Sequence, residues 1–203
     1  ELQIAHLQEA KARKAGVLDF GDLFCAMQGK FDKRSDRSKV RPEHQHGDYL
    51  DSLVKWMADL YEPYAHNWVM QGTGNHEVGI LQRHETSLID RWCQTMRDRT
   101  GAPVRTTGYT GWVSYKFRIF RTQNQSIRLW HTHGSGGGGI TTKDFGTRVK
   151  QLAYIDNADI VCSGHTHDSW VTKDIRIRLN SADNVEQRPC VVVKCPTYKD
   201  EYK

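Results

Sequence analysis

The chain has 203 residues and a mass of 23.4 kDa, which suits one domain with one sizeable core over residues 1–203. Six Trp, eight Tyr and six Phe exclude general disorder, and no run approaches the roughly 18 apolar residues of a membrane helix. Lys and Arg number 29 against 24 Asp and Glu, and the net charge of +5 suits an anionic substrate without requiring one. Five cysteines, Cys25, Cys93, Cys162, Cys190 and Cys195, form no Cys-x-x-Cys pair and are odd in number, which points to a reducing, cytoplasmic setting and away from a disulfide framework.

Good helix formers from Leu2 to Lys14, closed by Gly16, predict a first helix, and Val17–Phe20 a short strand running into Gly21-Asp22. Residues 28–48 are polar and basic without apolar periodicity and read as a loop insertion. Leu50, Leu53, Val54, Met57, Leu60 and Tyr61 recur at helical steps up to the stop at Pro63. Asn67–Met70 reads as a strand delivering Gly74-Asn75-His76-Glu77, and Thr86–Arg99 as an amphipathic helix ended by Gly101 and Pro103. Alternating β-branched and aromatic residues predict strands over Tyr109–Arg121 and Ser126–His131, joined by a turn at Thr122–Gln125. A helix from about Thr142 to Asp156 follows, then a strand at Asp159–Cys162 that delivers Gly164-His165-Thr166-His167. Strands near Trp170–Leu179 and Cys190–Lys194 close the chain. Helices alternating with strands whose ends carry Gly, His, Asp and Asn give an α/β layout with its site on the strand-end loops.

Four such loops arrive in order: Gly21-Asp22, Gly74-Asn75-His76-Glu77, His131-Thr132-His133-Gly134 and Gly164-His165-Thr166-His167. Asp, Asn and His offer oxygen and nitrogen donors that suit Mn²⁺, Zn²⁺ or Fe, and no thiolate lies among them. Glycines beside the donors allow turns sharp enough to aim short side chains at one point. His131 and His133 stand two residues apart, on the same side of an extended chain.

In these loops the sequence resembles the calcineurin-like metallophosphoesterase family, over residues 17 to about 167. Gly-Asn-His-Glu and Gly-His-Thr-His are its most specific matches. The resemblance implies a β-sandwich flanked by helices in four αββα layers. It implies two divalent metal ions, Mn²⁺ first, with Zn²⁺, Fe or Ni²⁺ as alternatives. Asp22 would bridge them, Asn75, His165 and His133 would complete one site, and His167 would join the other. His131 remains an alternative to His133. His76 matches the family's non-ligand histidine, which contacts the phosphate and protonates the leaving oxygen, while a hydroxide shared by cations about 3.5 to 4 Å apart attacks phosphorus. Gly136 and Gly137, in a run of four glycines, are candidates to contact phosphate through backbone N–H groups, and His131 is a candidate to contact substrate.

The family's first block, Asp-x-His, is missing from this chain, so the resemblance implies a first strand that would precede Leu2 and be supplied by residues before Glu1. The alternative is a reduced site holding one metal on Asp22, Asn75, His133 and His165. Cys25 stands where the family carries Asp or Asn and reads as a buried small side chain. Glu77, Asp19, Asp32 and Asp36 are the carboxylates left to orient His76. His6, His44, His46, His66 and His84 fall outside the motifs and read as ordinary histidines, His44 and His46 in solvent or near substrate.

The implied activity is hydrolysis of a phosphodiester, nucleic acid or nucleotide-like, with no membrane partner and an open oligomeric state. The alternatives are a phosphomonoesterase or phosphoprotein phosphatase of the same family, a scaffold with a degraded metal site, and a structural zinc site.

Overall fold

Among the described residues the chain forms five helices and eight strands, a mixed α/β composition with two sheets. The structure is a computed structural model describing residues 1–26, 36, 38, 40–137, 139, 141 and 144–198. It divides into two units, Glu1–Tyr109 and Thr110–Lys203. Among the described residues no helix is long and apolar enough to cross a membrane.

In the first unit the order is α1 (Leu2–Ala12), β1 (Val17–Asp19), α2 (Tyr49–Tyr61), β2 (Trp68–Gly72), α3 (Asn75–His84), α4 (Leu88–Thr100) and β3 (Thr106–Gly108). The strands are parallel in the order β1-β2-β3, and α2 and the α3–α4 pair are the crossovers that parallel neighbours require. Apolar residues at helical spacing meet beneath this sheet, where Trp92 is fully buried and lies edge-on to both Tyr61 and Trp68.

Helix α4 shows how local sequence sets an element's bounds. The Ser87 hydroxyl accepts the Asp90 N–H at 3.1 Å, and Gly101, at φ +69°, donates its N–H to the Arg97 carbonyl. A methyl group on Gly101 would meet open space, so its replacement is penalised by backbone conformation alone. Ser87→Ala and Gly101→Ala should each lower stability by about 1 kcal/mol, read as a reduced midpoint in urea at unchanged slope.

The second unit contains β4 (Thr110–Arg118), β5 (Asn124–Thr132), α5 (Phe145–Gln151), β6 (Ile160–Ser163), β7 (Trp170–Leu179) and β8 (Val185–Lys194). The sheet order is β4-β5-β6-β8-β7, with β5, β6 and β8 mutually parallel and an antiparallel strand at each edge. Leu152, Ile155 and Ala158 pack on Val161, Cys190 and Val192 to form its core. In the β7–β8 turn the Asn180 side-chain oxygen accepts from the N–H groups of Ala182 and Asn184, the local role for which Asn is favoured in turns.

Several boundaries differ from the sequence reading. Asn75–His84 folds as α3 because Asn75 to Glu77 open a helix rather than ending a loop, and Thr106–Gly108 adds a strand the polar sequence concealed. The β4–β5 turn lies at residues 119–123, where the Ile119 N–H reaches the Gln123 carbonyl, and β8 starts five residues before Cys190. Of the basic segment at 28–48, residues 28–35, 37 and 39 lie outside the described residues, and Pro42–His44 forms a 3₁₀ turn. His44 is buried rather than solvated: its Nδ1 lies 3.0 Å from the Ser52 hydroxyl and its ring meets Trp56 edge-on.

Candidate functional site

In the first unit β1 ends at Asp19, and the chain turns through Gly21 at φ +104° and Asp22 at φ +63°. Asp19 Oδ1 fixes the turn by accepting the Gly21 N–H at 2.8 Å and the Gln71 side-chain amide at 2.7 Å. Asp19 therefore serves the turn. A side chain on Gly21 would strike the Thr73–Gly74 backbone, and one on Gly74 would strike the Asp22 carboxylate. The two motif loops approach this closely only because both positions are glycine.

The Asp22 carboxylate accepts the His76 backbone N–H at 3.0 Å, one of the N–H groups that a helix N-terminus leaves without an intrahelical partner. His76 is half-buried, and its Nε2 stands 3.9 Å from Asp22 Oδ2. Asp22 is thus the carboxylate beside the ring, a role the sequence reading sought in other residues. Asn75, the first residue of α3, is exposed.

Glu77 ties this corner together. Its carboxylate is buried and accepts three backbone N–H groups, from Phe24 at 2.7 Å, Gly74 at 2.8 Å and Asp22 at 3.2 Å. Burial pushes its pKa from 4.5 up to about 7, and the Asp22 charge pushes the same way, while the N–H bonds, Phe24's foremost, pull it down. Cys25, expected buried, is exposed. Leu23, Phe24 and Ala26 around it are buried in a segment without regular structure.

In the second unit β5 and β6 are parallel neighbours, with His131 beside Cys162 and Thr132 beside Ser163, so their strand-end loops emerge together. The Gly164 N–H donates to the His133 carbonyl at 3.1 Å. Gly134 at φ +106° leaves room for the Gly164 carbonyl and His165, and His165 itself takes φ +77°. As a result His165 Nδ1 lies 3.3 Å from His133 Nε2, with the rings edge to face.

That spacing fits two ligands of one cation. Nitrogens about 2.1 Å from a metal ion stand about 3.0 Å apart at adjacent octahedral corners and about 3.4 Å apart in a tetrahedron. His131 and His133 are both buried; His131 lies inside β5, where burial lowers its pKa to about 4, so it is neutral at pH 7. His133 lies past the end of β5, where strand alternation no longer pairs it with His131. His167 is exposed at φ +63°, and Gly136 and Gly137 have open space around their Cα atoms.

Behind these loops lies a cluster that sequence reading missed. Lys194, Asp144 and Arg148 are buried, with Asp144 Oδ2 3.1 Å from the Lys194 ammonium and 2.7 Å from Arg148 Nε. Burial lowers the Lys194 pKa, against the hold of Asp144. A usable signal was present: Cys190, Val192 and Lys194 share one face of β8 by the period of two, so an ammonium occupies an inward position. No family model, curated protein or solved structure matches the chain.

Proposed function

We propose that the chain is a metal-dependent phosphodiesterase of the metallophosphoesterase type, in fold as in activity, acting on a nucleic acid or nucleotide-like substrate. The observation that carries the reading is the 3.3 Å approach of His165 Nδ1 to His133 Nε2, which brings together two motifs 32 residues apart in sequence. In the first unit, the placing of Asp22 and His76 at the N-terminus of α3 supports it independently. The net charge of +5 favours a polyanionic substrate.

The residues that would take up divalent ions are Asp22 and Asn75 in the first unit and His133, His165 and His167 in the second. When bound, such ions supply Lewis acidity, offsetting phosphate charge and making water acidic enough to attack near neutral pH. The chain's own residues do the rest. His76 presents an imidazole edge able to give a proton to the departing oxygen. Glu77, by accepting from both motif loops, holds Asp22 and α3 in one geometry. His131, neutral and enclosed within the sheet, supports the strand end that carries His133.

Purified protein supplied with Mn²⁺, Zn²⁺, Fe²⁺ or Ni²⁺ should hydrolyse bis-p-nitrophenyl phosphate faster than p-nitrophenyl phosphate, and chelation should abolish turnover reversibly. Preference for the monoester would shift the reading to a phosphomonoesterase. Failure of all four metals to give turnover, or rates indifferent to chelation, would remove it.

A further inference from the structure

The charged cluster behind the histidine loops serves those loops. We propose that Lys194 is a positioning residue, whose buried ammonium grips the Gly164 carbonyl and so sets His165 against His133. The proposal extends the reading of His133 and His165 as ligands, although the contact itself is independent of any metal.

The argument starts at β8. Lys194 is the strand's last residue, paired in register with Ser163 at the end of β6, and the Cys195 N–H continues the ladder to the Ser163 carbonyl at 2.8 Å. The ladder therefore carries the Lys194 backbone to the point where the Gly164 loop leaves β6. Its side chain is wholly enclosed, and Nζ donates to the Gly164 carbonyl and to Asp144 Oδ2. Gly164 is then held on both sides, since its own N–H donates to the His133 carbonyl. The next residue is His165, in a left-handed conformation that a non-glycine residue adopts only when its surroundings enforce it.

An apolar residue at position 194 would extend the Cys190–Val192 face without the cost of burying an ammonium. Asp144 offsets that cost, with the charge of Asp168 adding to the hold. Arg148 is equally buried: its Nη1 donates to Gln151 and its guanidinium pairs with Asp144, so it shares the carboxylate, while the Gly164 carbonyl accepts from Lys194. The two cations are separable by mutation. Removing either leaves Asp144 paired with the other, so both variants keep a neutral buried pair, and only one loses the Gly164 bond.

The test compares full-length wild type, Lys194→Met and Arg148→Met, first metal-free with ¹⁵N-labelled histidine, then titrated with Co²⁺. Wild type and Arg148→Met should show the same fixed ring-nitrogen signals for His133 and His165. Lys194→Met should show averaged signals and about 10- to 100-fold weaker Co²⁺ binding with an altered visible spectrum. Wild-type histidine signals in Lys194→Met, or equal changes in both variants, would overturn the proposal. If wild type binds no Co²⁺, the metal reading fails, and the metal-free histidine comparison still decides the role of Lys194. Should Lys194→Met not fold, wild type alone decides: scalar coupling between Lys194 Nζ and the Gly164 carbonyl carbon, carried by the hydrogen bond to the carbonyl oxygen, is expected, and freely exchanging Nζ protons without it refute the contact.

Discussion

His76→Ala should slow hydrolysis of an alkyl phosphodiester by about 10²- to 10⁴-fold, the range contributed by a positioned general acid. The substitution is clean, because the contact that ties position 76 to Asp22 is made by the backbone N–H and survives loss of the ring. The side chain is 27% exposed, so its removal leaves no sealed cavity. Metal affinity should hold, since His76 lies outside the donor set. The decisive comparison is between leaving groups. A departing alkoxide needs a proton, whereas p-nitrophenolate leaves readily as the anion, so the loss should be severe for the alkyl ester and mild for the aryl one. The falling limb of the pH–rate profile at high pH should vanish with the ring. Equal losses for both esters would show that His76 binds phosphate without donating a proton.

The candidate donors were picked out in the sequence because glycine, histidine and aspartate cluster there after apolar runs. Gly21, Gly74, Gly134 and Gly164 announced tight approach: at Gly21 and Gly74 a side chain would collide with the facing loop, and at Gly134 it would meet the Gly164 loop in tight contact. The choice between His133 and His131 was open to a period-of-two argument, which stops applying where β5 stops; both rings are buried, and what separates them is that His131 lies within the strand while His133 lies past its end, facing His165. Helix α3 escaped notice because its opening residues are the motif itself, a polar stretch that resembles a loop until Glu77 closes onto Gly74 three residues back. Lys194 lay on a face readable as buried, but its partners Asp144 and Gly164 are 50 and 30 residues away, and no local pattern joins them. β7 reads correctly from Trp170 to Leu179 because Ile175, Ile177 and Leu179 alternate with Arg176 and Arg178, although the structure leaves that apolar set on the exposed face.

Glu77 should make the metal-free protein less stable as pH rises from about 4.5 to about 7, the reverse of what an ion-paired carboxylate does. The folded state holds the Glu77 proton up to about pH 7, whereas the unfolded chain releases it near 4.5. Between those values the folded protein binds more protons than the unfolded one, so raising the pH favours unfolding. The gap corresponds to about 3 kcal/mol, complete above pH 7 and absent below 4.5. Other carboxylates titrate over the same range, so the measurement is a difference: urea-unfolding free energies of wild type minus Glu77→Gln, taken from pH 4.5 to 8. That difference should decline with pH by about 3 kcal/mol. Glutamine is a telling replacement, because its NH₂ must face one of the N–H groups of Asp22, Phe24 or Gly74 that the carboxylate accepts, a donor against a donor. A flat difference would mean that the three N–H bonds outweigh burial and keep Glu77 ionised through the whole range. Divalent metal should shift the curve as well. A cation bound at the neighbouring Asp22 would favour the Glu77 anion and move the decline to lower pH, so repeating the series with Mn²⁺ tests whether Asp22 is a ligand without any reference to turnover.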